Sequence, residues 1–145
     1  MTKHFFWTTV FFFTVFCVQA QQEVTWKDLA DVSFTSEYFE DTDDYFLVPD
    51  FGKSVEELEG KEISITGYFL SLSPSDDIYM LSQNPMASCF FCGGGGPETV
   101  LEVKFSKKPS FKTDEVVTIT GKLKLNADDI NHCNYILTDA RGFAL

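Results

Sequence analysis

The sequence predicts a mainly β domain in which a few strands close into a small barrel behind short N-terminal helical segments. Three observations carry that expectation. First, Glu62 to Leu72 alternates, with Ile63, Ile65, Gly67, Phe69 and Ser71 on one face and Ser64, Thr66, Tyr68, Leu70 and Leu72 on the other. A period of two sustained over this length belongs to a strand. Second, Ile63-Ser64-Ile65-Thr66-Gly67-Tyr68-Phe69 lines up with Val117-Thr118-Ile119-Thr120-Gly121-Lys122-Leu123, and each places a glycine after β-branched residues. Glycines inside strands mark bulges or close approaches, and in small barrels they let a long strand bend from one sheet into the next. Third, the chain has 145 residues, 44% of them hydrophobic, which suits one domain with its own core.

Residues 1–20 read as a secretory signal peptide. Lys3 and His4 open it, an apolar run follows from Phe5 to Val18, and Val18-Gln19-Ala20 supplies the cleavage site. The run falls short of the ~20 residues of a comfortable membrane span; an uncleaved N-terminal anchor is the alternative. Phe16 precedes Cys17 where a lipidation site needs a small residue, so Cys17 is read as leaving with the segment. The protein is thus expected to be exported, periplasmic or secreted, with no transmembrane span after cleavage. Residues 21–57 form an N-terminal lead and an aromatic-acidic segment, and residues 58–145 form the barrel.

In the lead, Val24, Trp26 and Leu29 are spaced for one helical turn, with Trp26 placed to plug the core. Residues 34–51 mix Phe34, Tyr38, Phe39, Tyr45, Phe46 and Phe51 with Glu37, Glu40, Asp41, Asp43 and Asp44. They read as irregular, with a strand near Tyr45–Val48 closed by Pro49. Ser54 with Glu57 three residues later has the capping-box pattern, so a helical turn should run to Leu58 and end at Gly60. After the strand from Glu62, Pro74 to Asp77 is a turn. Further strands follow at Ile78–Leu81, Val100–Phe105, Val116–Leu125 and Tyr135–Thr138, with a loop over residues 83–97. Five strands, two of them long and interrupted by glycine, predict a five-stranded OB-like barrel, with an open antiparallel sheet of similar strands as the alternative.

Without residues 1–20 the chain carries 10 basic and 22 acidic residues, a net charge of −12. That balance argues against nucleic acid, since phosphate contacts need an excess of Lys and Arg, and it favours cations. A calcium-loop reading of Asp41 to Asp44 fails, because Phe46 and Gly52 stand where an EF-hand needs Gly and Glu. No Gly-x-Ser-x-Gly elbow is present, and His132 is the sole histidine after residue 20.

The chemistry is concentrated in cysteine. Cys89-Phe90-Phe91-Cys92 is a CxxC pair followed by four glycines, Gly93 to Gly96. This spacing lets both sulfurs face one point, as in half a zinc knuckle. His132-Cys133 arrives on a separate segment. Cys89, Cys92 and Cys133 with His132 would make a Cys3His set, whose thiolate and imidazole donors suit zinc or copper(I); zinc is the expected metal. Adjacent residues in a strand point to opposite faces, so His132 and Cys133 can both join only if they lie in a turn. Two other readings stay open: a structural disulfide, which export favours, and thiol redox exchange, which the glycine run fits poorly because it opens no helix.

Leu58-Glu59-Gly60-Lys61-Glu62-Ile63-Ser64-Ile65-Thr66-Gly67-Tyr68 resembles the L-x-G-K-x-V-x-I-x-G-Y segment of a DUF3299-like family of exported bacterial proteins of unknown function. Met80-Leu81 followed by Cys89-Phe90-Phe91-Cys92 resembles that family's strand and cysteine-bearing loop, and Val117 to Leu123 its second V-x-I-x-G-x-L. The similarity covers roughly residues 58–138. The Cys-Phe-Phe-Cys-Gly-Gly run departs from members with fewer loop cysteines. The resemblance implies an envelope location and a link to metal handling, and supplies no catalytic residue. The expectation is therefore an exported, non-enzymatic barrel whose cysteine loop binds a soft metal. The alternatives are a disulfide-stapled interaction module docking to an envelope protein complex through residues 34–51, and a thiol redox protein.

Overall fold

The computed structural model describes residues 21–145, so the signal-peptide reading lies outside the described residues. The strands are β1 (Gln22–Glu23), β2 (Val32–Phe39), β3 (Asp44–Phe51), β4 (Glu62–Ser73), β5 (Ile78–Ser82), β6 (Val100–Phe105), β7 (Val116–Leu125) and β8 (Tyr135–Ala144). A single turn of helix, α1 (Lys53–Glu56), precedes β4, and the remaining helical pieces are one-turn 3-10 segments.

β4 pairs with β5, β5 with β6, β6 with β8, β8 with β7, and β7 returns to β4. This circuit is a closed five-stranded barrel, antiparallel throughout except between β6 and β8. β1 adds a short parallel rung on β4. The architecture is the OB-like barrel expected from the strand pattern.

The repeated glycines explain how one strand serves two neighbours. Residues Glu62 to Tyr68 of β4 pair with β7, and Tyr68 to Ser73 pair with β5, so the strand changes partner beside Gly67. A Cβ on Gly67 would stand 2.6 Å from the Ser82 carbonyl oxygen and 2.9 Å from Trp26 Cζ2. Gly121 occupies the equivalent place in β7, at the register shift against β8.

Ile63, Ile65 and Phe69 of β4 point inward with Leu81, Leu101, Val103, Val117, Ile119, Leu123 and Leu137, all buried in one cluster. Val24, Leu29 and Val55 from residues 21–57, and Leu58 just after them, contribute to that same core. Tyr135 is fully buried and its hydroxyl donates to the Leu29 carbonyl oxygen over 2.7 Å. Trp26 packs on the core and its indole N–H donates to the Thr66 carbonyl at 2.8 Å, which suits the plugging role its position suggested.

Two local expectations need correction. Residues 34–51 are not irregular: β2 and β3 form an antiparallel hairpin in register from Val32 opposite Phe51 to Phe39 opposite Asp44. Cross-strand aromatic pairs hold it, with ring centroids 5.3 Å apart for Tyr38–Tyr45 and 5.5 Å for Phe39–Phe46. Such pairs outweigh the poor strand preference of the interleaved acids. Pro49 does not close β3 but pairs opposite Phe34; in a two-stranded sheet each strand has a free edge where a missing N–H is tolerated. Likewise, Gly52 rather than Ser54 caps α1. The Ser54 hydroxyl donates instead to the Asp31 carboxylate, tying helix to lead. Gly60, with φ at +74°, ends this segment as expected.

Gly67→Ala is expected to lower stability by about 1–3 kcal/mol, the range for overpacking a filled site, read as an earlier midpoint in urea or thermal unfolding. An unchanged midpoint would contradict the close approach at the strand's partner exchange.

Candidate functional site

The side chains of β4–β6 that point away from the barrel interior are not all polar. Leu70 of β4 lies opposite Met80 of β5, which lies opposite Glu102 of β6. Leu70, Met80 and Val100 are all buried, because the loop between β5 and β6 folds over them. That loop contains three 3-10 turns, and the first two, Met86–Ser88 and Phe90–Cys92, are joined at Cys89, whose backbone is extended (φ −73°, ψ 174°), with Pro97–Thr99 following before β6. Cys89 has no solvent exposure and packs on Leu70, Met80 and Val100, with Tyr68, Met86, Phe90 and Cys133 around them.

Polar contacts pin the loop in place. The Met86 backbone N–H donates to Asp114 Oδ1 at 2.7 Å, and the Asn84 side-chain amide donates to the Gly94 carbonyl at 2.9 Å. The Gly94 N–H donates to the Cys89 carbonyl at 3.0 Å. Gly93 closes the second turn with φ at +81°. Gly94 lies so close to the Ser88 carbonyl that a Cβ would overlap it, at 1.6 Å. The glycine run therefore serves loop folding.

Cys89, Cys92 and Cys133 are all free thiols. Cys92 is exposed, and its thiol donates to the Met86 carbonyl at 3.2 Å. A hydrogen bond from Cys89 is the main cause holding the Cys92 pKa above the ordinary thiol value, followed by burial and by the charge of Cys89. Cys133 reaches the same patch from the segment before β8, with Sγ 3.7 Å from Met80 Sδ. Burial first, and then the charge on Glu102, push its thiol up to about 12.

Three of the four expected metal ligands thus share one patch, and His132 stands apart. Residues 130–132 do lie in a turn, from which Cys133 packs on the sulfur patch while His132 pairs with Glu102. His132 Nδ1 is 2.8 Å from Glu102 Oε2, and Nε2 is 4.0 Å from Asp129 Oδ2. Among the described residues, no group of three or more His, Cys, Asp or Glu side chains gathers as a metal cluster. The further donors at the patch are thioethers, which sequence reasoning passed over. Met80, Met86, Cys89, Cys92 and Cys133 are all the sulfur-bearing residues after position 20. Four belong to or pack on one apolar cluster, and Cys92 is hydrogen-bonded to its edge. The Met86-x-x-Cys89-x-x-Cys92 spacing was the available signal for one of the two methionines.

Beside the patch opens a groove of about 360 Å³. Met80, Val100 and Cys133 border it, together with Phe90 and Phe91 of the loop, residues 45–48 of β3, and Ile130. It lies on the outer face of β5 and β6, the face on which OB folds place ligands, although a fold carries no ligand with it.

No family model and no curated protein matches the chain. Among solved structures it is similar to the crystal structure of a DUF3299 family protein from Pseudomonas aeruginosa PAO1, with a TM-score of 0.56 over 87% of this chain and 97% of that one. The fold is DUF3299-like. Sequence identity is 17%, so the agreement with the motif resemblance is one of fold.

A thiol that ionises near 12 when folded, against 9.0 for its ordinary value, favours the folded state while it remains protonated. This contribution is complete below the unfolded value and is lost as pH rises from about 9 towards 12. Unfolding midpoints should fall across that window in the metal-free protein. At pH 8, Cys133 should be alkylated slowly in the folded protein and rapidly in denaturant, as mass mapping of labelled peptides would read; fast labelling in the folded protein would contradict its burial.

Proposed function

We propose that this chain is an exported, non-enzymatic barrel domain that binds a soft metal at its cysteine loop, in a structural or metal-handling role. The observation that supports this is the meeting of Cys133 with the Cys89–Cys92 pair on one patch although it is far from them in the chain. Three thiolates supply the donors that zinc and copper(I) accept. His132, which the sequence expectation made the fourth, is paired with Glu102 through Nδ1, an arrangement that leaves Nε2 as its donor to a metal. Export is inferred from residues 1–20. The non-enzymatic reading is supported by the thiols themselves: Cys92 and Cys133 are shifted upward, the reverse of an activated nucleophile.

A second reading is favoured by the hairpin. Tyr38, Tyr45 and Leu47 are exposed on it among Glu37, Glu40, Asp41, Asp43 and Asp44. Such a face complements a partner surface carrying Lys and Arg beside apolar groups, as an envelope protein complex could offer, with a Cys89–Cys92 disulfide stapling the loop.

Native mass spectrometry of protein purified with zinc present separates the two. The metal reading expects one ion per chain, lost in Cys92→Ser. Metal-free protein with fewer than three titratable thiols would overturn it, and a two-proton mass deficit between Cys89 and Cys92 would favour the stapled module.

A further inference from the structure

We infer that the patch selects a monovalent soft cation of the copper(I) class, with the Met80 thioether and the Cys133 thiolate as two of its ligands. The inference rests on the soft-metal reading above and specifies which ion that site takes.

Donor chemistry argues first. Zinc sites are built from thiolate, imidazole and carboxylate, whereas thioethers are soft, polarisable and suited to copper(I). Among the described residues no imidazole packs on this patch: His132 pairs with Glu102 through Nδ1, and Glu102 is further held by Lys104 at 3.5 Å. What remains beside the thiols is Met80, with Met86 packed against the same cluster.

Spacing agrees. Two sulfurs each about 2.3 Å from a shared ion at a tetrahedral angle stand roughly 3.8 Å apart; Met80 Sδ and Cys133 Sγ are 3.7 Å apart. That contact is a hydrogen bond donated by the Cys133 thiol to the Met80 thioether, and an ion would take the place of the proton that Cys133 gives up as it binds.

Charge argues third. Leu70, Val100 and Phe90 make one side of the pair apolar, where an unbalanced charge is costly, while the Glu102 carboxylate, whose charge acts on Cys133, borders the groove side. A single positive charge is neutralised by one thiolate. A divalent ion needs a second thiolate, which would have to come from the buried Cys89 or from the exposed Cys92. The groove provides the entry path, since Met80 and Cys133 both border it.

The test is anaerobic chelator competition on the full chain with copper(I), silver(I) as a redox-inert stand-in, and zinc(II), using wild type and Met80→Leu. Leucine conserves volume while removing the sulfur, and thermal unfolding of the metal-free variant checks its fold. The expected result is that both monovalent ions outcompete zinc on wild type. Met80→Leu should then weaken them by about tenfold or more, the least that losing a metal-site partner costs, while leaving zinc within about twofold. Equal weakening of zinc, or no effect on the monovalent ions, overturns the inference while leaving the soft-metal reading in place. Failure of all three ions to bind wild type overturns both.

Discussion

Everything around the candidate site depends on Cys89 being packed beneath its own loop, against Leu70, Met80 and Val100. Each of these apolar side chains is worth about 1.5–3 kcal/mol when removed from water, but only with a cover over the sheet. The β5–β6 loop is that cover. Seating Cys89 there sets Cys92 at the patch edge, brings Phe90 and Phe91 alongside the groove, and leaves the Met80 sulfur facing Cys133. One buried contact therefore connects the fold to its possible chemistry.

The barrel makes such a contact available. Alternation in β4 sends Ile63, Ile65 and Phe69 inward and leaves Leu70 outside, where a polar residue would be the ordinary choice for a solvated face. Closure through the β4–β7 pairing fixes that face against rearrangement, and the partner exchange at Gly67 determines which residues of β4 lie next to β5. The methionine and cysteine side chains gathered there are the softest and most adaptable a core can use. A patch made of them is at once a hydrophobic seal and a set of metal donors.

Much of this was legible in the chain. The period-two strand from Glu62, the twin glycine segments and the turn signals indicated the barrel and its DUF3299-like fold. The CxxC spacing indicated two neighbouring sulfurs. What the chain concealed was decided by tertiary contacts. The hairpin was hidden because Asp and Glu disfavour strands while the aromatic pairs Tyr38–Tyr45 and Phe39–Phe46 exist only once its register forms. Ser54 looked like a helix cap because nothing local shows Asp31 across the chain. Nothing in the chain near His132 shows that its Nδ1 pairs with Glu102 of β6. Met80 carried no signal as a donor, since an isolated methionine in a strand is normally a core residue, and its neighbour Cys133 is distant in sequence.

The central claim is the position of an ion, and diffraction can locate one directly. Crystals of the full chain loaded with silver(I) or copper(I) and measured for anomalous scattering should give a single strong peak within bonding distance of both Met80 Sδ and Cys133 Sγ. A peak at the His132–Glu102 pair instead, or none at the sulfur patch, would contradict the account.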